Sequence, residues 1–415
     1  MVSPGEIFFR PIQLLYFLTG RMIFGLNPLG WNIVSLLVHI LNIFLFMKII
    51  RSLFPDGNHI VFISGLFFAV HFIHTEPVFW TSAVVTLLTG TFLLLSIIFY
   101  LNNSALAIIF TLLGLLTKET GMAIPILILL FSIYKRIEMK RALPHFILLG
   151  LYLLFRLLFT GPIPYSVHYK ISPGILVLFK NLTFLFSGIL FWIDYRLLHD
   201  IWYQSQSPAQ MIGIIKGHTG IIFPLILAWL VFVIPAILGS RKEKFASLFT
   251  VLAAMPFLFL FGSGERFLYI PSMGGVFFIS ILVCRFRPKA RFIIASSLAL
   301  YLAVFSLANQ KRWLLASRQS GMIVNFLKRI EKRMESGSRI IFINPPEDVD
   351  GAWVFKNGLE YVDDLYFERD IEIVAVKGRI DQINHRDHVI LWEVDSTLLP
   401  LKMRNDGGGD GSERD

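Results

Sequence analysis

The chain has 415 residues and a formal net charge of +10; 55% of its residues are hydrophobic, only 16% are charged, and the mean hydropathy is +0.67. A soluble domain carries about 25% charged residues, and 40 Phe with 8 Trp exceed what a water-soluble particle of this size can bury. A soluble enzyme, a coiled coil and a disordered chain are excluded, which leaves a polytopic membrane protein.

Charge divides the chain in two. Residues 338–415 hold 17 acids and 9 bases, whereas the first 337 residues hold 11 acids and 29 bases. The basic excess in an apolar body reads as membrane topology rather than nucleic-acid binding, and no nucleic-acid partner is expected. The one cysteine, Cys284, rules out an internal disulfide and a cysteine metal cluster. Met1 is followed by a polar segment containing Pro and Gly, without the apolar core of a signal peptide.

In chain order, residues 5–25, with Arg10, Arg21 and several aromatics, read as an interfacial helix within an opening segment 1–30. A membrane domain over 31–309 follows. Its apolar runs predict ten spans, near 31–50, 60–74, 83–101, 105–117, 122–134, 143–160, 219–238, 245–262, 268–284 and 292–308. Basic clusters at Lys48/Arg51, Lys135/Arg136/Lys140/Arg141, Arg241/Lys242/Lys244 and Arg285/Arg287/Lys289/Arg291 all fall on the cytoplasmic side if 175–193 does not cross. That run is therefore expected to be re-entrant or interfacial within a long outer loop, 161–218. The amino terminus and the acidic tail are then extracytoplasmic. The tail, 310–402, reads as a charged helix to about Met334 and a small α/β unit. Its strands are expected at 339–344, 371–376 and 388–394, with helical spacing at 352–367; residues 403–415 are expected to be disordered.

The eleven acids of the first 337 residues can be placed one by one. Asp56, Glu138 and Glu243 lie among basic clusters and read as solvated; Glu331 and Glu335 read as surface residues of the tail helix. Six remain on the outer side: Glu6, Glu76, Glu119, Asp194, Asp200 and Glu265. Three of these have ionisable neighbours: Glu76 in His71-Phe72-Ile73-His74-Thr75-Glu76, Glu119 beside Lys118, and Glu265 beside Arg266. Ionisable groups at membrane depth are costly and mark sites. Three such clusters at span ends on one side are expected to meet in one pocket. Their carboxylates, imidazoles and cations, with Arg10 from the interfacial helix, suit an anionic lipid-linked headgroup. A divalent metal on His71, His74 and Glu76 is the weaker reading, because the i, i+3 histidines lack the usual zinc spacing and a third fixed ligand. No cofactor is expected. The sequons at Asn102 and Asn181 read as chance, and no P-loop, dinucleotide-binding glycine pattern or nucleophile elbow is present. His199 and His218 read as solvated loop residues.

Several segments resemble a known family. Phe9-Arg10-Pro11-Ile12, Phe24-Gly25-Leu26-Asn27-Pro28, Asn32 and His39 are similar to the opening run of the GT-C membrane glycosyltransferases, in particular the transmembrane-and-TPR O-mannosyltransferases and their bacterial relatives. His71 to Pro77, Thr117-Lys118-Glu119, and Glu265-Arg266-Phe267-Leu268-Tyr269-Ile270-Pro271-Ser272 resemble further family segments, in the family's order, over roughly residues 9–275. The resemblance implies a GT-C-like helical fold and a polyprenyl- or dolichyl-phosphate sugar as donor. It also implies transfer to a protein or glycan hydroxyl on the extracytoplasmic face of a bacterial inner or endoplasmic-reticulum membrane, without metal. The donor phosphate would sit on Arg266, Lys118 and Arg10. Glu265 would orient Arg266 and Glu119 would orient Lys118, with His71 and Tyr269 in support. His74 and Glu76 would line the sugar or acceptor pocket, Glu76 serving as base if the family's own acid is missing. That acid lies in the first outer loop, after a span that this chain is expected to lack; Glu6 is the only acid in the corresponding segment. The family's polar residues after the His-Thr-Glu segment are replaced by Thr81 to Thr86, and no TPR array follows. The rival readings are a transporter, a flippase or polymerase component for lipid-linked saccharides, and an inactive fragment without its catalytic acid.

Overall fold

The computed structural model describes residues 9–159, 171, 174–192, 207–217, 220, 222–260, 264–355, 358–376 and 387–391. The chain divides into two compact units, Met1–Gln310 and Lys311–Asp415.

The first unit is helical. Its elements are α1 (Pro11–Phe24), α2 (Pro28–Leu53), α3 (Asn58–Val70), α4 (Thr75–Phe79), α5 (Val84–Leu101), α6 (Leu106–Thr117), α7 (Ala123–Lys135), α8 (Leu143–Phe159), α9 (Ile175–Leu190), α10 (Pro208–Gly217), α11 (Ile222–Leu238), α12 (Arg241–Ala254), α13 (Tyr269–Cys284) and α14 (Pro288–Glu331), the last running on into the second unit. The turn between α1 and α2 explains its own sequence. Gly25 takes a positive φ of 59° that a side chain would resist. Asn27 caps α2 by accepting from Leu29 N at 3.0 Å, and Pro28 occupies the first helical position, where its missing N–H costs nothing.

Among the described residues, five helical stretches are long and apolar enough to cross a bilayer: Pro28–Leu53, Thr81–Leu101, Met139–Phe159, Glu265–Cys284 and Pro288–Glu331. Asn58–Val70 and Phe72–Phe79, bent by 51°, make a sixth if counted together, and Leu106–Thr117, Ile175–Leu190 and Ile222–Leu238 are shorter apolar helices. The ten predicted runs thus become five or six full-length spans plus shorter pieces. The reason is helix length: Leu106–Thr117, Ala123–Lys135, Ile222–Leu238 and Arg241–Ala254 have 12, 13, 17 and 14 residues, and the run over 60–74 is interrupted by the 3-10 turn Phe72–His74.

One end of the bundle is basic, and its cations cap helices. Lys135 donates to Ser52 O at 2.8 Å, Arg141 to Tyr100 O at 3.0 Å, Arg291 to Cys284 O at 3.2 Å, and Arg241 to Tyr134 O. These carbonyls lie in the last turns of α2, α5, α13 and α7, where no helical donor remains and the dipole is negative. Glu243 departs from its expected solvated place. It is 1% exposed, closes a capping box with Ser240 at the start of α12, and pairs with Arg285 at 2.6 Å. The sequon residue Asn181 is also buried, donating to Leu258 O at 2.9 Å and Leu260 O at 2.8 Å.

The second unit holds a parallel three-stranded sheet in the order β4-β1-β5, from β1 (Arg339–Ile343), β4 (Glu372–Val376) and β5 (Asp387–Leu391), with Arg339 opposite both Glu372 and Asp387. Ile323, Leu327 and Ile330 of α14, spaced on one helix face, pack with Ile340, Phe342 and Ile373 in its core. The helical spacing expected over 352–367 is met only in its second half. Ala352–Trp353 is a strand, β3, paired antiparallel with β2 (Asp348–Val349) through Asp350 and Gly351 at positive φ. Among the described residues of that range, a 3-10 turn at Leu359–Tyr361 leads into a helix, α15 (Val362–Tyr366). Glu331 is buried rather than on the surface, its Oε1 accepting from Glu368 N and Arg369 N at 3.2 Å.

Candidate functional site

The end of the first unit opposite the basic loops gathers the remaining ionisable residues. The 3-10 turn Glu265–Leu268 introduces α13 and buries Arg266. Glu76, from the short helix α4, grips that residue twice. Its Oε1 accepts from Arg266 Nη1 at 2.5 Å and its Oε2 from Arg266 N at 2.7 Å. The guanidinium carbon lies 5.1 Å from the Trp80 ring centre and 5.0 Å from that of Phe267. Gly264 makes room for the pair, since a Cβ there would sit 3.1 Å from Arg266 Nη1 and 3.2 Å from Glu76 Oε2.

Lys118, in extended backbone between α6 and the turn Glu119–Met122, is also buried. Its Nζ donates to Thr86 Oγ1 at 2.8 Å and lies 4.9 Å from the Phe267 ring centre. Arg266 and Lys118 therefore share one aromatic ring, a favourable seat for cations. Arg10, Arg266, Glu119 and Glu76 all lie within electrostatic reach of Lys118.

Glu119 binds two guanidiniums. Arg10 Nη2 and Nε donate to its Oε2 at 2.6 and 3.0 Å, and Arg156 Nη1 donates to its Oε1 at 3.1 Å. Burial works against the charged form of this carboxyl, but Arg10 and, less strongly, Arg156 hold it below the ordinary glutamate value. Three arginines (Arg10, Arg156 and Arg266) and Lys118, whose ammonium is held well below the usual lysine range by burial and then by Arg10 and Arg266, thus stand with the carboxylates of Glu76, Glu119 and Glu265. Helices α5, α7 and α13 all begin at this end, and their amino-terminal dipoles add positive potential. The arrangement can hold an anion.

The other expected site residues lie alongside but bond inward. Tyr269 OH accepts from Asn42 Nδ2 at 3.1 Å and lies 2.9 Å from His39 Nδ1. His74 Nε2 meets Ser272 Oγ at 2.9 Å, and His71 Nε2 meets Ile189 O at 3.0 Å. Glu265 accepts from Thr75 Oγ1 and Asn309 Nδ2, each at 3.4 Å. Among the described residues no group of three or more side chains could hold a metal ion. Glu6, Asp194, Asp200, His199 and His218 lie outside the described residues.

The expected partnerships change. Glu119 goes to Arg10 and Arg156 instead of its neighbour Lys118, and the carboxylate on Arg266 belongs to Glu76. Successive residues of a 3-10 turn project about 120° apart, so chain neighbours are turned away from each other and partners come from other segments. Arg156, Thr86, Asn42 and Asn309 were not anticipated. A lone arginine in the apolar run 143–160 was the available signal for Arg156; the neutral residues gave none.

The fold and the charged end define a helical protein with membrane-length apolar segments and a buried cationic cluster at one end. No family model matches the chain, and no solved structure matches it. It is 35% identical over 95 residues to Protein O-mannosyl-transferase TMTC2 of Mus musculus, a stretch that is 23% of this chain and 11% of that protein. It is 29% identical over 126 residues to Protein O-mannosyl-transferase F38B6.6 of Caenorhabditis elegans, 29% of this chain and 18% of the relative. The chain thus spans about a tenth to a fifth of the length of the curated relatives it matches.

Proposed function

We propose that this chain is a GT-C-like integral-membrane glycosyltransferase that moves a sugar, of the mannosyl class, from a polyprenyl- or dolichyl-phosphate donor to a protein or glycan hydroxyl on the extracytoplasmic face. The observation that carries the reading is the placing of Arg266 and Lys118 on one Phe267 ring, with Arg10 in reach and three helix amino termini beside them. The partial likeness to protein O-mannosyl-transferases supports the same reading. In the topology we propose, Leu106–Thr117, Ala123–Lys135, Ile222–Leu238 and Arg241–Ala254 complete the crossings to ten, Ile175–Leu190 does not cross, and the basic loops are cytoplasmic.

In such a transfer the acceptor oxygen bonds to the anomeric carbon as that carbon's bond to the phosphate oxygen breaks. The acceptor's proton passes to a base. The lipid phosphate leaves with the bonding pair and gains one negative charge, which fixed cations stabilise without reorganising. Arg266, Lys118 and Arg10 take that role. Both oxygens of Glu76 are engaged by Arg266, and Glu119 by two arginines; we assign both acids to holding cations, with His74 and Ser272 lining the neighbouring wall.

The test is transfer from radiolabelled polyprenyl-phosphate mannose by the purified chain in liposomes. Arg266→Ala is expected to lower the rate by about 100-fold or more. Undiminished transfer by that variant removes the phosphate role. A wild-type chain that uses no lipid-phosphate sugar removes the function.

A further inference from the structure

Arg156 is given no contact with the donor in the reading above, yet it is nearly inaccessible, 3% exposed beside 4% for Lys118. It sits on α8, whose Leu154, Leu157, Leu158 and Phe159 are exposed as lipid-facing residues are, while Arg156 itself is turned inward and 3% exposed. A guanidinium in an apolar span is costly and persists where it has a task. Its Nη1 is shared between Glu119 Oε1 at 3.1 Å and Tyr152 OH, one helical turn earlier, at 3.3 Å. The side chains of Arg10 and Glu119 are 12% and 16% exposed and that of Arg156 is 4% exposed, so Arg10 is the more accessible of the two guanidiniums that flank Glu119.

The geometry has a plain consequence. One carboxylate against one guanidinium would cancel Arg10's charge. Arg10 spans both oxygens, its Nε donating to Oε1 at 3.2 Å as well as to Oε2 at 3.0 Å; Arg156 adds a second guanidinium on Oε1 at 3.1 Å and leaves the trio with one net positive charge. The bonds to Glu119 and Tyr152 both leave the one nitrogen Nη1, a sharing that a lysine ammonium with its three donors can also make. We propose that Arg156 is a positioning residue: acting through Glu119, it fixes Arg10 at the anion-binding end of the site. The part of the inference that concerns donor binding rests on the glycosyltransferase reading.

The experiment compares wild type, Arg156→Met and Arg156→Lys in two assays. The first needs no ligand: modification of Arg10 by phenylglyoxal, followed by mass spectrometry in folded protein. The second is the KM and kcat for polyprenyl-phosphate mannose. Expected is faster Arg10 modification in Arg156→Met, a KM raised about tenfold with kcat within about twofold, and recovery of most of the KM by Arg156→Lys. Unchanged Arg10 modification in folded Arg156→Met overturns the proposal, as does an unchanged KM in a transferring enzyme. If Arg156→Met does not accumulate in folded form, Arg156→Gln, which can still hydrogen-bond Tyr152, is read the same way. If the wild type neither binds polyprenyl phosphate nor transfers sugar, the donor reading falls, and the rate of Arg10 modification alone decides whether Arg156 positions it.

Discussion

Replacing Glu76 by Gln keeps the shape of the side chain and removes the charge that faces Arg266. The magnitude follows from two contacts. Glu76 accepts one hydrogen bond from the Arg266 guanidinium and one from its backbone N–H. Hydrogen bonds to charged groups contribute about 1.5–3 kcal/mol each, so losing both would cost roughly 3–6 kcal/mol. Stripping one partner from a buried ion pair costs about 3–5 kcal/mol by a separate line of evidence. Solvent screening is small, since the two side chains are 9% and 6% exposed. The amide can still accept one of the bonds, so Glu76→Gln is expected near the lower end, about 3 kcal/mol. Unfolding in detergent micelles, monitored by Trp fluorescence, gives the value. Arg266→Met is measured alongside, together with the double variant. The double variant is expected to be less destabilised than the summed singles by about 1–3 kcal/mol, because it strands no charge. Additivity within about 0.5 kcal/mol would refute the claim that Glu76 and Arg266 form one buried unit.

Three other outcomes are expected. Gly121→Ala places a Cβ 2.3 Å from Gly114 O and 2.9 Å from Leu115 N; backbone cannot yield cheaply, so a loss of about 1–3 kcal/mol or more is expected. Gly150→Ala, in open space on α8, is the control and should be neutral or stabilising by up to about 1 kcal/mol in the same unfolding assay. The Glu119 carboxyl is held below its ordinary value of 4.5, so its contribution to stability is complete above that pH and is lost as pH falls through the lowered folded value. A stability–pH profile should show this acid limb in the wild type and a flatter one in Glu119→Gln. Asn181→Ala strands the carbonyls of Leu258 and Leu260 and should cost about 1–3 kcal/mol, and mass spectrometry of the wild type should find no glycan at Asn181.

The helical body was legible from the sequence, and so were the residues that carry charge at its polar end. Apolar runs set against a scarcity of acids make such residues conspicuous: Glu76, Lys118, Glu119, Glu265 and Arg266 can be listed without coordinates because so few ionisable residues compete with them. Local chemistry was legible where it spans few residues, as in Gly25, Asn27 and Pro28 at the α1–α2 turn. Ser240-Arg241-Lys242-Glu243 carried the spacing of a capping box, yet its basic neighbours made Glu243 look solvated. Over 352–367 the helical period holds at 359–366, but its first residues form the second strand of a hairpin, because residues 350 and 351 adopt positive φ and reverse the chain first.

The sequence alone determined that an apolar, basic body carries a small set of polar residues at the ends of its helical runs, since the cost of burying charge depends on composition and local pattern. Tertiary structure alone decided the partnerships: Glu76 with Arg266, Glu119 between Arg10 and Arg156, and Lys118 on Thr86 and the Phe267 ring. Backbone period sets the direction in which each side chain leaves its own segment. Which carboxylate meets which cation depends on how segments distant in the chain pack, and no local pattern encodes that distance.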